Sequence, residues 1–254
     1  MHAFLLSAEL AALTISVQLS AQEPVLTEFN APGDTTVTSP ACAPQCGTVP
    51  LANNDRGGIA GFYTDPNIVP HAFLRTPAGD FISFEAPGAG IGAGLDQGTV
   101  AYSINDVGAI AGQFEDSSNV FHGFVRQPGG LFSTFDVPGA GAGSLQGTWA
   151  LNINGMGTTA GFYVDGNNAQ HAFIRSSAGQ STRFDPSGSV ATMVCEETCL
   201  NAEGAVTGFY LDANDTFHGF MRIADGTITE FNAPGTGNFL GTIAASITAS
   251  ISGW

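Results

Sequence analysis

The chain has 254 residues, 34 of them glycine, with 43% hydrophobic and only 11% charged residues, a mixture that builds a packed core and excludes an acidic disordered chain. Its formal net charge is −16, it has no lysine, and all six basic residues are arginines. A clustered cationic surface is therefore out of reach, which excludes nucleic acid and an anionic membrane surface as partners. The length suits one large all-β domain or two small ones.

Residues 1–22, MHAFLLSAELAALTISVQLSAQ, form an apolar run that ends in small residues and reads as a secretory signal cleaved near Ala21. An N-terminal helix is the alternative, because the run opens without Lys or Arg and Glu9 interrupts it. Residues 23–254 are expected to form a single repeat domain, extracellular or periplasmic. Its first landmark is FNAPG at 29–33, which ends a strand expected over 26–30, since proline cannot donate to a sheet ladder.

From Gly47 onward one pattern recurs. A strand opens on Gly-Thr (GTVPLANN, GTVAYSIN, GTWALNIN) and turns through Asn-x-x-Gly. A second strand, ending in a Gly-Phe/Tyr type motif, follows (GIAGFY, AIAGQF, TTAGFY, AVTGFY), then an Asp-led turn. The third strand is His-x-Phe-x-Arg: HAFLR at 71–75, HGFVR at 122–126, HAFIR at 171–175 and HGFMR at 218–222. A Gly-containing turn leads to a fourth strand that closes on FEAPG, FDVPG, FDPSG or FNAPG. The FDPSG copy departs, with Pro186 moved forward, so that corner is expected to be shaped differently.

The histidines are spaced 51, 49 and 47 residues apart. Four short strands in a period of that size are what a β-propeller blade requires. The expected fold is an all-β propeller of about five four-stranded blades. Four are complete; the fifth is either split between 26–30 and the segment from Gly241, or the chain is a truncated piece of a longer array.

Period-2 alternation places His71, Phe73 and Arg75, and likewise His122, Phe124 and Arg126, His171, Phe173 and Arg175, and His218, Phe220 and Arg222, on one face of each strand. These stripes are expected to pack blade on blade rather than to form a ring of ligands or general bases. The four arginines are expected to pair with a carboxylate: Asp65, Asp116, Asp165 or Asp212, or Glu85, Asp136 or Asp185 after the closing phenylalanine. Asn54, Asn105, Asn154 and Asn201 are expected to cap the N-x-x-G turns. Cys42 with Cys46 and Cys195 with Cys199 are both C-x3-C pairs, expected to form local disulfides, with the two crossed pairings and a zinc site as alternatives. Metal binding is otherwise expected only as calcium at Asp212, Asn214 and Asp215, for which turn formation is the simpler explanation.

The HAF/HGF motifs, the IND-to-IAG run at 104–112 and FDVPG at 135–139 together resemble the HAF-repeat family of predicted extracellular bacterial proteins, over about residues 25–254. The resemblance implies a secreted, propeller-like repeat protein with no established reaction, and hence no catalytic residues or cofactor to carry over.

The nucleophile-elbow motif, HExxH and the lysine-dependent phosphate loop are all missing from the sequence. The leading expectation is therefore a secreted non-catalytic binding or interaction module, whose partner is an extracellular glycan or protein. Two other classes stay open: a carbohydrate-active hydrolase or lyase using carboxylates that converge from different blades, and a structural surface array that assembles through open blade edges.

Overall fold

A computed structural model describes residues 26–34, 47–92, 97–196, 198–234 and 241–247. Among these residues there are sixteen β-strands and no helix. They form four units of four antiparallel strands in simple up-and-down order, units two and three being joined into one eight-stranded sheet by a single parallel bridge from Phe121 to Gly147. Unit one contains β1 (Thr48–Asn53), β2 (Ile59–Thr64), β3 (Pro70–Arg75) and β4 (Phe81–Phe84). Unit two contains β5 (Gly98–Ile104), β6 (Ile110–Glu115), β7 (Phe121–Arg126) and β8 (Phe132–Phe135). Unit three contains β9 (Gly147–Ile153), β10 (Thr159–Val164), β11 (Gln170–Arg175) and β12 (Ser181–Phe184). Unit four contains β13 (Ser189–Val194), β14 (Val206–Asp212), β15 (Phe217–Arg222) and β16 (Ile228–Phe231).

The turns explain the strand boundaries. Asn54 Oδ1 accepts the amides of Arg56 and Gly58, and Asn105, Asn154 and Asn201 cap their own turns in the same way. Asp65, Asp116, Asp165 and Asp212 each accept the amides two and four residues on, closing the turn between the second and third strands. The glycine of each GFY-type motif is required by close approach. In units one to three the first strand bulges directly opposite it, and a Cβ on Gly61, Gly112 or Gly161 would strike the backbone carbonyl of Val49, Val100 or Trp149.

Units pack in sequence, one on two, two on three and three on four. The core lies in these joints. Phe84 meets Phe124 edge-on, Phe135 meets Phe173 and Phe184 meets Phe220, with ring centroids 5.9–6.3 Å apart. A side-chain bond repeats beside them: the amide two residues after the closing phenylalanine donates to the threonine that opens the next unit, as Ala86 to Thr99 and Val137 to Thr148. Pro186 occupies that position in FDPSG and has no amide hydrogen to give, and unit four accordingly opens at Ser189 without Gly-Thr.

The split fifth blade is corrected at its ends. Residues 26–30 and 241–247 dock on units one and four without forming ladder strands, because no described strand lies beside either to complete a sheet. Thr242 donates its amide to Phe217 O and Ile247 to Thr198 O. Among the described residues the sheets do not close on one another.

Candidate functional site

The two ends of each unit carry different chemistry. At one end lie the His, the Asp-led turn and the Gly-rich loop to the next unit; at the other lie the Asn-x-x-Gly turn and the Arg.

Strand pairing sets the histidine environment. Tyr63, Phe114, Tyr163 and Tyr210 are the cross-strand partners of His71, His122, His171 and His218, and each ring lies 4.9–5.1 Å from its imidazole. Each imidazole is then held from both sides. Nδ1 bonds Glu85, Asp136, Asp185 or Asn232, while Nε2 faces Asp65, Asp116, Asp165 or Asp212 at 3.3–3.7 Å. The hydrogen bond that His71 Nδ1 donates to Glu85, working against burial, raises the His71 pKa above its ordinary 6.5, and the bond to Asp136 does the same for His122. The Thr216 amide, opposed by burial and reinforced by Asn214 and His218, holds Asp212 at about 2.

This arrangement overturns the expected arginine–carboxylate pairs. Each guanidinium instead lies over the closing phenylalanine of the preceding unit: Arg75 over Phe29, Arg126 over Phe84, Arg175 over Phe135 and Arg222 over Phe184, at 4.1–5.0 Å. The reason is register. Arg75 pairs with Phe81 and Ala72 with Phe84, so Glu85 emerges beside His71, at the opposite end of β3 from the arginine. The described arginine–carboxylate ion pair is Arg183–Asp185, formed by an arginine outside the repeat position.

The Asn turns do more than cap themselves. Asn54 Nδ2 donates to Asn105 O, Asn105 Nδ2 to Asn154 O and Asn154 Nδ2 to Asn201 O, all at 2.9–3.0 Å. A row of side-chain amides thus stitches the four units together. Its sequence signal was present in the shared 51-, 49- and 47-residue spacing of these asparagines. Two further positions escaped sequence reasoning. Gln97 and Gln146, each just before Gly-Thr, accept the Gly92 and Gly143 amides and donate to Asn119 and Asn168, pinning a Gly-rich loop to the next unit's turn. Their repeated Gln-Gly-Thr was the readable clue.

Cys195 and Cys199 form a local disulfide, with Cα atoms 5.8 Å apart, which removes them as zinc thiolates. Asn152 of unit three clasps this loop, donating to Cys195 O and accepting the Cys199 amide. Cys42 and Cys46 lie outside the described residues. The oxygens calcium would need at Asp212 are engaged: Oδ1 by the Asn214 and Thr216 amides, Oδ2 by Asn214 Nδ2 and His218 Nε2. Asp215, at φ 58°, is a turn residue. Among the described residues no cluster of three His, Cys, Asp or Glu side chains is arranged to hold a metal ion.

Each end of the units also presents a solvent-facing feature. At the histidine end the Gly-rich loops expose Ile91 (82%) and Leu145 (66%). At the opposite end, a groove of about 370 Å³ runs between units two and three, lined by Val107, Val125, Ile153, Met156, Arg175 and Ser177 among others.

No family model and no curated protein matches the chain. Among solved structures it is similar to selenomethionine-substituted virginiamycin B lyase from Staphylococcus aureus, with a TM-score of 0.42 and 14% sequence identity over 78% of this chain. The match spans 58% of the length of that lyase chain.

Proposed function

We propose that this chain is a secreted, non-catalytic binding module of propeller type, resembling HAF-repeat proteins, whose ligand is an extracellular glycan or protein taken at the Gly-rich loops. One observation carries the reading. The repeated His and Arg side chains are held in contacts internal to the scaffold, whereas the loops at the histidine end turn Ile91 and Leu145 outward. Apolar groups presented on pinned loops suit recognition, because little loop entropy is lost on binding. The Cys195–Cys199 disulfide fits an oxidising compartment.

The test is a glycan array and an extracellular-protein array probed with the full chain, beside a broad glycosidase and lyase screen. Binding without turnover, weakened at least tenfold by the double variant Ile91→Asp, Leu145→Asp, is the expected result. Turnover of any bound glycan, or silence on both arrays, overturns the reading.

A further inference from the structure

Every internal joint is made from the same groups. The closing phenylalanine of one unit lies against the Phe and beneath the Arg of the next, and the Asn amide of the earlier unit donates to the Asn carbonyl of the later one. The outer face of unit four carries these groups without the partners they have elsewhere. Asn201 is only 5% exposed, yet its Nδ2 has no hydrogen-bond partner among the described residues. A buried amide hydrogen left unpaired is costly, so this one marks a place built to receive an acceptor. On the closing strand of the same unit Phe231 is 42% exposed, whereas Phe184 at the preceding joint is 8% exposed.

The outer face of unit one is the complement. The Asn54 carbonyl accepts its own turn's Gly57 amide, while Asn105 O and Asn154 O each accept an amide of the preceding unit besides their turn's. Strand β1 is exposed at Pro50, Leu51 and Asn53, beside a groove of about 390 Å³ walled by Phe29, Pro50, Leu51 and Ile59. Residues 26–34 and 241–247 reproduce part of a joint on these faces. Phe29 lies under Arg75, and Thr242 accepts the Ala233 amide. Neither segment supplies the asparagine bond.

We propose that the two outer faces bind each other between copies of this chain. Unit four of one molecule receives unit one of a second, with Asn201 Nδ2 donating to the Asn54 carbonyl and Phe231 replacing Phe29 beneath Arg75. The segments 241–247 and 26–34 are displaced as this joint forms. A second copy is the occupant because the unmatched donor and the unmatched acceptor are this chain's own, on opposite faces, and among the described residues no strand of unit one packs extensively on a strand of unit four. The contact is head-to-tail and therefore continues into a ring or a filament. It does not rest on what the loops bind.

Sedimentation of the full chain over a wide concentration range, in about 0.15 M salt to screen the like charge of the copies, gives the test. Weight-average mass is expected to rise with concentration. Asn201→Asp keeps the Oδ1 that caps its turn but abolishes the donor; Leu51→Glu blocks the opposite face. Each is expected to weaken association at least tenfold, and Phe231→Glu serves as a second block on the unit-four face. An equimolar mixture of Asn201→Asp and Leu51→Glu, each with one intact face, is expected to form pairs and stop there. A wild-type mass that stays monomeric throughout overturns the proposal. So does a folded variant that associates like wild type, or a mixture that remains monomeric.

Discussion

Strands β1 and β9 hold the same place in their units, and each pairs antiparallel with its unit's second strand, yet they sit in different surroundings. Leu51 and Leu151 both occupy the bulge opposite the motif glycine; the first is 38% exposed and the second 1%. β9 is buried along its length apart from half-buried Trp149, while three of the six residues of β1 face solvent. The side chain is the same, so what differs is the neighbour. Burial of β9 is conferred by the unit before it, which is how quasi-one-dimensional repeats divide stability into intrinsic and interface parts.

Four measurements would break or sharpen that comparison. The largest effect is expected from truncating the two leucines. Leu151→Ala should cost roughly 2–5 kcal/mol in urea unfolding, and Leu51→Ala under about 1 kcal/mol; equal losses would place the stability within units rather than between them. Next comes the amide row. Asn154→Asp loses its bond to Asn201 O and should be destabilised by about 1–2 kcal/mol more than Asn201→Asp, whose amide has no partner among the described residues to lose.

The third effect concerns the guanidinium. Arg126 Nε and Nη1 are buried without hydrogen bonds, so the arginine contributes by packing on Phe84. Arg126→Met should stay within about 1 kcal/mol of wild type, and Arg126→Ala should lose roughly twice that. An ion-pair role would make both variants equally poor.

The smallest effect is on the pH profile. Because His71 and His122 have pKa values raised in the fold, their contribution is complete below 6.5 and fades as pH rises through the folded values. Asp65, Asp116, Asp165 and Asp212 are lowered, so theirs is complete above 3.8 and fades as pH falls through the folded values. The thermal midpoint should peak between about pH 4 and 6.5, with His71→Asn, His122→Asn flattening the alkaline side alone.

Much of the fold was readable from spacing. Strand order, the Asn and Asp turns and the His–Phe–Arg face all follow from period-2 alternation and turn chemistry, which are local. The arginine partners were misread for a reason equally local in origin. Charge alone matches Arg75 to Glu85, whereas hairpin register, traced through β3 and β4, delivers Glu85 to His71 and leaves the arginine the aromatic ring of another unit. The same limit hid the asparagine row, since an amide that caps its own turn gives no local sign that its second hydrogen bond crosses about fifty residues of chain. At the ends, the repeat pattern suggested strands for 26–30 and for the segment from Gly241, but a ladder needs two chains side by side.

The row of asparagines also bears on how such a protein can change over evolutionary time. Each internal unit both gives one amide hydrogen and takes one at its carbonyl, so a duplication or deletion of about fifty residues leaves the number of unmet groups unchanged: one donor at the last unit and one acceptor at the first. Unequal recombination within the gene can therefore lengthen or shorten the array without creating a new defect at the splice.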